Sequence, residues 1–323
     1  MTATADTLAA EYRALTEGCG LVDRSERGKL ALTGPEAKTF LHGQVTNDIE
    51  GLEPGRGCYA AFLTHKGKML GDLRVLDLGD ELLLDTERPT LQELFNMIRR
   101  YKLGSDLELH KRTLEMGLLS LIGPEARRVA GARTLPSAEH ANARAEIGGR
   151  PVVLVATDTG VDVFCAAGDT PAVRAALEAA GAAAVDEAAA EILRVERGRP
   201  RYGFELDDGV IPQEAGLNER AVSFTKGCYV GQETVARLFY RGKPNRHLRG
   251  LELSAPAATG DVLRLGEKEV GRVGTAVVSP AFGAIALAIL RREAQPGGTV
   301  TVGDGGARAE VVELPFRHEP LTA

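Results

Sequence analysis

The sequence predicts an α+β protein whose C-terminal part is all β. Three observations carry this. Helical and strand periodicities are interleaved from the N-terminus to about residue 193, and a Leu-x-Gly-Pro-Glu-Ala-basic junction occurs twice, in ALTGPEAKTF and SLIGPEARRVA. From about His247 onward, short apolar runs alternate with Gly and Pro turns and no strong helix interrupts them.

Leu8, Tyr12 and Leu15 fall at helical spacing and predict a first helix ending near Gly18. A strand around Lys29 to Leu32 runs into TGPEAKTFL, where Pro35 suits a first helical turn and Phe40 and Leu41 supply an apolar side. CYAAFLT, KMLGDLRVLDL and ELLLDT read as strands separated by glycine-containing turns, and Leu91, Leu94, Phe95, Ile98 and Tyr101 line one helix face. After the second junction, PVVLVAT and VDVFCAA read as a hairpin, followed by the helical PAVRAALEAAG and an alanine-rich helix toward Leu193. The runs LRGLEL, DVLRL, GTAVVS, AIALAIL, TVTV and ARAEVVEL then predict a small barrel or sandwich, reached through the basic stretch from Arg241 to Arg246. The recurring junction points to a duplicated α+β unit; coincidence at a common helix start is the alternative.

With 323 residues, 44% of them hydrophobic, the chain is long enough for two or three domains. A net charge of -6 argues against a surface that binds nucleic acid throughout, and 5% aromatic content without Trp argues against base stacking on a single strand. MTATADTLAAEYRAL carries Asp6 and Glu11 and lacks a basic start before an apolar run, so no secretory leader is expected. The apolar run at Ala284 to Leu290 is too short for a membrane span, and a soluble, cytoplasmic protein is the expectation. Cys19, Cys58, Cys165 and Cys228 form no CxxC pair, which points to reduced thiols and to no metal or cluster cage within the chain.

GRGCYA at Gly55 to Ala60 fits a dinucleotide fingerprint in letters only, because it leads into a strand instead of opening a helix. KGCYVGQE, Lys226 to Glu233, is more informative: its glycines permit turns closed to other residues, and Lys226 lies close in sequence to Cys228. Either the ammonium favours the thiolate, or Cys228 packs inward and Lys226 caps a turn. Arg237, Arg241, Lys243, Arg246 and Arg249 follow with no acidic residue between Glu233 and Glu252, a strip suited to an anion or to plain solvation. In LRVERGRP, Glu196 stands between Arg194 and Arg197; it is able to accept paired hydrogen bonds from a guanidine-like edge, or to form a local ion pair.

Taken together, LRVERGRPRYGFELDDGVIPQEAGL and SFTKGCYVGQETVARLFYRG resemble the YgfZ family of folate-binding proteins, relatives of the glycine-cleavage T-protein. FLHGQVTNDIEGL and GAIALAILRRE match further family segments, so the likeness spans nearly the whole chain. The resemblance implies a T-protein-like fold, with two partly interleaved α+β domains over residues 1–240 around a central folate cavity and a C-terminal β-barrel over residues 247–323. It implies tetrahydrofolate or a derivative as cofactor, and a role in making or maintaining iron–sulfur proteins, including cluster-dependent tRNA-modifying enzymes, without independent turnover. Cys228 then matches the family's functional cysteine with Lys226 as its neighbour, Glu196 the pterin-holding carboxylate, and Arg237 and Arg241 a site for the glutamate tail. Folate, iron–sulfur proteins and their assembly machinery are the implied partners, with neither membrane nor direct nucleic-acid binding.

Two other function classes are open. In a true aminomethyltransferase an Asp-Asp pair follows a glycine-rich hairpin, and GKMLGDLRV has Gly71 and Asp72 there, one acid of the two; Asp72 then contacts folate, or serves a turn or an ion pair. A non-catalytic RNA-binding module using Arg237 to Arg249 is the other.

Overall fold

The structure is a computed structural model that describes residues 5–317. Residues 1–4 of the stretch read as no secretory leader, and 318–323 of the expected barrel domain, lie outside it. The described residues divide into two compact units, the first running to Ala190 and taking back Glu219–Gln232, the second holding Glu191–Asn218 and continuing from Glu233. Glu191–Asn218, grouped with the N-terminal region by an expected division at residue 240, thus clusters with the barrel.

The first unit opens with the helix Ala5–Glu17 (α1) and the strand Gly20–Asp23 (β1). Then come Gly28–Thr33 (β2), Ala37–Gln44 (α2), Gly57–Leu63 (β3), Met69–Asp77 (β4), Leu82–Thr86 (β5), Leu91–Tyr101 (α3) and Glu108–Lys111 (β6). The same order returns in Met116–Ile122 (β7), Ala126–Val129 (α4), Asn142–Ile147 (β8), Arg150–Ala156 (β9), Gly160–Ala166 (β10), Thr170–Ala179 (α5) and Ala183–Ala184 (β11). One sheet is ordered β3-β4-β5-β2-β6 and the other β8-β9-β10-β7-β1-β11, so the halves share a meander of three strands and differ by the insertion of β1.

The two Gly-Pro-Glu-Ala junctions are equivalent in three dimensions. Gly34 and Gly123 have φ of 104° and 123°, and each carbonyl accepts the amide of the first helical residue, Ala37 or Ala126. A Cβ at either glycine would come within 2.6 Å or 2.5 Å of a main-chain oxygen, so the strand-to-helix turn requires glycine in both copies. Phe40, Leu41, Leu94 and Ile98 pack one sheet beneath α2 and α3, and Val129, Val173 and Leu177 pack the other beneath α4 and α5. Between the sheets lie Leu76, Leu83, Leu118, Val153, Val155 and Phe164, giving a helix–sheet–sheet–helix stack.

After Glu187–Glu196 (α6), Asn218–Ala221 (α7) and Gln232–Arg241 (α8), the second unit contains Arg246–Leu253 (β12), Val262–Leu265 (β13), Lys268–Ser279 (β14), Gly283–Arg291 (β15), Thr299–Val302 (β16) and Ala307–Val312 (β17). These close into a barrel ordered β12-β15-β14-β13-β16-β17, filled by small and branched side chains such as Val273, Ala286, Ala288 and Val311. The fold is therefore α+β with a C-terminal β-barrel, as the sequence predicts. None of the described helices is long and apolar enough to cross a membrane.

Candidate functional site

The β3–β4 hairpin builds the first part of the site. Ala61 pairs with Asp72 and Tyr59 with Arg74, which places Tyr59 and Asp72 as diagonal neighbours on one sheet face. The Tyr59 hydroxyl donates to an Asp72 carboxyl oxygen, and the Asp72 carbonyl accepts from Thr86 Oγ1, so side chain and backbone are both held. Asp72 is buried, and burial pushes its carboxyl up to about 6, with the Tyr59 bond opposing the rise. Burial and the neighbouring carboxylate raise the Tyr59 hydroxyl well above its ordinary range, which keeps it a donor.

Around this pair the chain returns from residue 219. The Arg220 guanidinium lies over the Tyr59 ring at 5.1 Å and pairs with Glu139 at 2.6 Å. The Asn47 side-chain amide donates to the carbonyls of Tyr59 and Arg220, at 2.9 and 3.2 Å, and Thr46 Oγ1 donates to Ala221 O at 2.6 Å. The motif FLHGQVTNDIEGL thus meets the segment that leads into KGCYVGQE.

Within the second motif, Lys226 Nζ donates to the carbonyls of His42, Val45 (2.7 Å) and Asn47 (2.9 Å). Burial pulls this ammonium down to about 8, and the groups acting on it are Asp48, Cys58 and Glu50. Cys58 is half-buried, and burial pushes its thiol up to about 12 against the attraction of Lys226. All four cysteines are free, and Cys228 alone among them is exposed. Tyr229 beside it is buried, its ring 5.0 Å from the Lys226 ammonium.

The second unit holds the remaining residues singled out in the sequence. Glu196 ends α6, is buried, and accepts from Ser279 Oγ at 2.5 Å, while its carbonyl accepts the Phe316 amide. The flanking Arg194 turns to Glu191, Glu205 and Thr275. In the basic strip, Arg246 is paired with Glu214 and Arg249 with Glu313; Arg237, Arg241 and Lys243 are exposed, the two arginines on α8. Among the described residues no group of three or more His, Cys, Asp or Glu is placed to hold a metal ion.

Tyr59 and Arg220 escaped the sequence reading. Strand alternation carried the signal for Tyr59, because residues on facing strands of a tight hairpin share a face in register. Nothing local announced Arg220, whose partners lie more than eighty residues away in sequence.

The model of the GCVT N-terminal domain matches residues 2–226, and that of the glycine cleavage T-protein C-terminal barrel domain matches residues 246–317. A putative chloroplastic transferase of Arabidopsis thaliana is 30% identical over 95% of this chain and 74% of its own length. An aminomethyltransferase of Rubrobacter xylanophilus is 31% identical over 96% of this chain and 87% of its own. The crystal structure of the glycine cleavage system aminomethyltransferase T of Bartonella henselae superposes with a TM-score of 0.85 at 22% identity, over 96% of this chain and 89% of that one. That likeness shows the fold, and the two domain matches in their characteristic order show the family. The chain belongs to the aminomethyltransferase-like family of the glycine-cleavage T-protein.

Proposed function

We propose that this protein binds tetrahydrofolate, or a derivative of it, and supports the assembly or repair of iron–sulfur proteins through Cys228. The observation that carries the folate half is the buried Asp72 carboxyl, aimed by Tyr59 and able to hold or release a proton near neutral pH. The thiol half rests on the KGCYVGQE motif and on the exposure of Cys228.

The residues fit such a cofactor. A pterin ring offers an amide and guanidine-like edge, and a buried carboxylate accepts from such an edge in pairs. Glu196 is the carboxylate assigned to that edge by the family resemblance, held by Ser279. Arg237 and Arg241 supply exposed cations for the carboxylates of a glutamate tail. When bound, tetrahydrofolate supplies the nitrogen pair that carries a one-carbon unit. In this reading Asp72 would accept or return a proton, and the Tyr59 hydroxyl fixes which of its carboxyl oxygens is available. A cluster needs several thiolates, so any direct cluster contact of Cys228 draws its other ligands from a partner.

Folate-dependent aminomethyl transfer is the second reading. The proton-holding Asp72 favours it, as do curated relatives named aminomethyltransferase; Gly71, standing where the T-protein pattern has a second acid, weighs against it.

Calorimetry with tetrahydrofolate tests the first half, and Glu196→Gln is expected to weaken binding about tenfold or more, the loss of one charged hydrogen-bond pair. The second half is tested in cells lacking the gene, by the activity of an enzyme that depends on a four-iron cluster. Wild type is expected to restore that activity and Cys228→Ala to fail. Equal rescue by both removes the thiol from the function; an unaffected enzyme in the deletion strain brings aminomethyl transfer to the front.

A further inference from the structure

Helix α2 ends with carbonyls that no later helical amide can satisfy. Val45 N–H reaches back to Leu41 O, and the next carbonyl in the helix, His42 O, is left pointing out of the C-terminal end. Lys226 fills this position: its ammonium donates to His42 O and to the carbonyls of Val45 and Asn47 just beyond the helix. An ammonium has three protons, and here three acceptors take them. The negative end of the helix adds to the attraction.

The far side of the same turn is fixed as well. Gly231 has φ of 85°, and a Cβ there would come 2.6 Å from Thr64 O and 3.2 Å from Gly67 in the β3–β4 turn. On the near side, Ser223 N donates to Thr46 O. The exposed Cys228 therefore sits on a turn pinned before it by Lys226 and after it by Gly231. The three donors of the Lys226 ammonium are taken by the carbonyls at the α2 end, so the side chain is directed at the helix.

We infer that Lys226 is a positioning residue: by plugging the carbonyl end of α2 it sets the conformation of the turn that displays Cys228, and it does not serve as the charge that activates the thiol. The importance of that turn rests on the proposed role of Cys228; the positioning does not, and the two fail separately.

The reaction of Cys228 with dithiodipyridine across pH separates the alternatives. The thiolate attacks the reagent disulfide, a mixed disulfide forms, and thiopyridone leaves with the electron pair; the same titration on Cys228→Ser gives the background from the other thiols. Lys226→Met removes charge and donors together. Lys226→Arg keeps the charge on a planar fork that cannot converge on three carbonyls. Both variants are expected to keep the wild-type midpoint pH, to change the plateau rate at least about threefold, and to speed amide exchange in residues 223–231, the signature of local opening. Gly231→Ala, which loosens the other end without touching any charge, is expected to reproduce this behaviour, and Lys226→Arg decides the matter if Lys226→Met does not fold. A midpoint raised in Lys226→Met and normal in Lys226→Arg assigns the residue to charge activation and overturns the inference. Unchanged plateau and exchange in both lysine variants overturns it equally.

Discussion

The Tyr59 hydroxyl donates to the Asp72 carboxylate across the β3–β4 hairpin, with Asp72 buried and Tyr59 half-buried. Two effects oppose each other at Asp72: burial favours the neutral acid, and the phenol donor favours the charged one. Burial wins, since the carboxyl is raised to about 6 despite the bond. Tyr59→Phe removes the opposing effect and is expected to raise the Asp72 titration further. It leaves a buried acceptor unpaired, at a cost of about 1–3 kcal/mol. Because the lost bond matters most to the ionised form, denaturant unfolding is expected to show a larger loss at pH 7.5 than at pH 5. An equal loss at both would mean that the hydroxyl only fills space.

Asp72→Asn tests the same balance from the other side. Between the ordinary 3.8 and the folded value of about 6, the unfolded chain has released the proton and the folded chain still holds it, so wild-type stability falls as pH rises through this window. The full gap, at ~1.4 kcal/mol per pH unit, bounds the effect at about 3 kcal/mol. An amide has no such proton to lose. The variant is expected to gain stability over wild type between pH 4 and pH 7.5, read as a growing difference in Tm, while tetrahydrofolate binding weakens. A difference in Tm that stays constant with pH would show that Asp72 is already solvated.

What the sequence disclosed follows the range of the forces involved. Periodicity is local, and the strands and helices it predicts, from the helix ending near Gly18 to the barrel strands, are present. The paired Gly-Pro-Glu-Ala junctions were legible because a positive φ beside a close backbone contact admits glycine alone. Helix α8 was hidden behind the glycines of KGCYVGQE and the basic residues that follow, and the two-residue β11 exists only through its pairing with β1. The ties of Lys226 to the end of α2, and of Arg220 to Glu139, depend on chain return over long separations, which no local pattern encodes.

The sequence resemblance sets Gly71 against the second acid of the T-protein pattern, and packing explains why this glycine is not easily replaced. A Cβ there would come 2.5 Å from the Phe62 ring and 2.8 Å from Thr90. Gly71→Asp is therefore expected to force the hairpin apart and to cost at least about 1–3 kcal/mol, the usual price of overpacking. It is not expected to create aminomethyltransferase activity. Gly71→Asp combined with Phe62→Ala removes the tighter of the two contacts and leaves that with Thr90, and a double variant that gains transfer activity would show that the missing acid is what separates this chain from that chemistry.

The sheets of the first unit are joined by charge as well as by apolar packing. Asp85, fully buried on β5, accepts two hydrogen bonds from Arg27 at 3.0 Å and one from Arg74 at 2.7 Å, and Arg74 reaches across to Asp162 on β10. Burial alone would raise the Asp85 carboxyl, yet the two guanidinium groups outweigh it and hold the acid well below the usual carboxylate range. A depressed carboxyl stabilises the fold above its ordinary titration point and loses that contribution as pH falls through the folded value. Asp85→Asn takes their shared counter-charge from the half-buried Arg27 and Arg74, which keep Glu87 and Asp162, a change expected to cost about 1–3 kcal/mol at pH 7. Below about pH 4 the unfolded wild-type chain takes up a proton that the folded carboxyl still excludes, so wild-type stability falls and its difference from Asp85→Asn is expected to shrink steadily on acidification. If urea unfolding shows a penalty independent of pH, the two arginines act as space-filling stems and the sheets are held by Leu76, Leu83 and Phe164 alone.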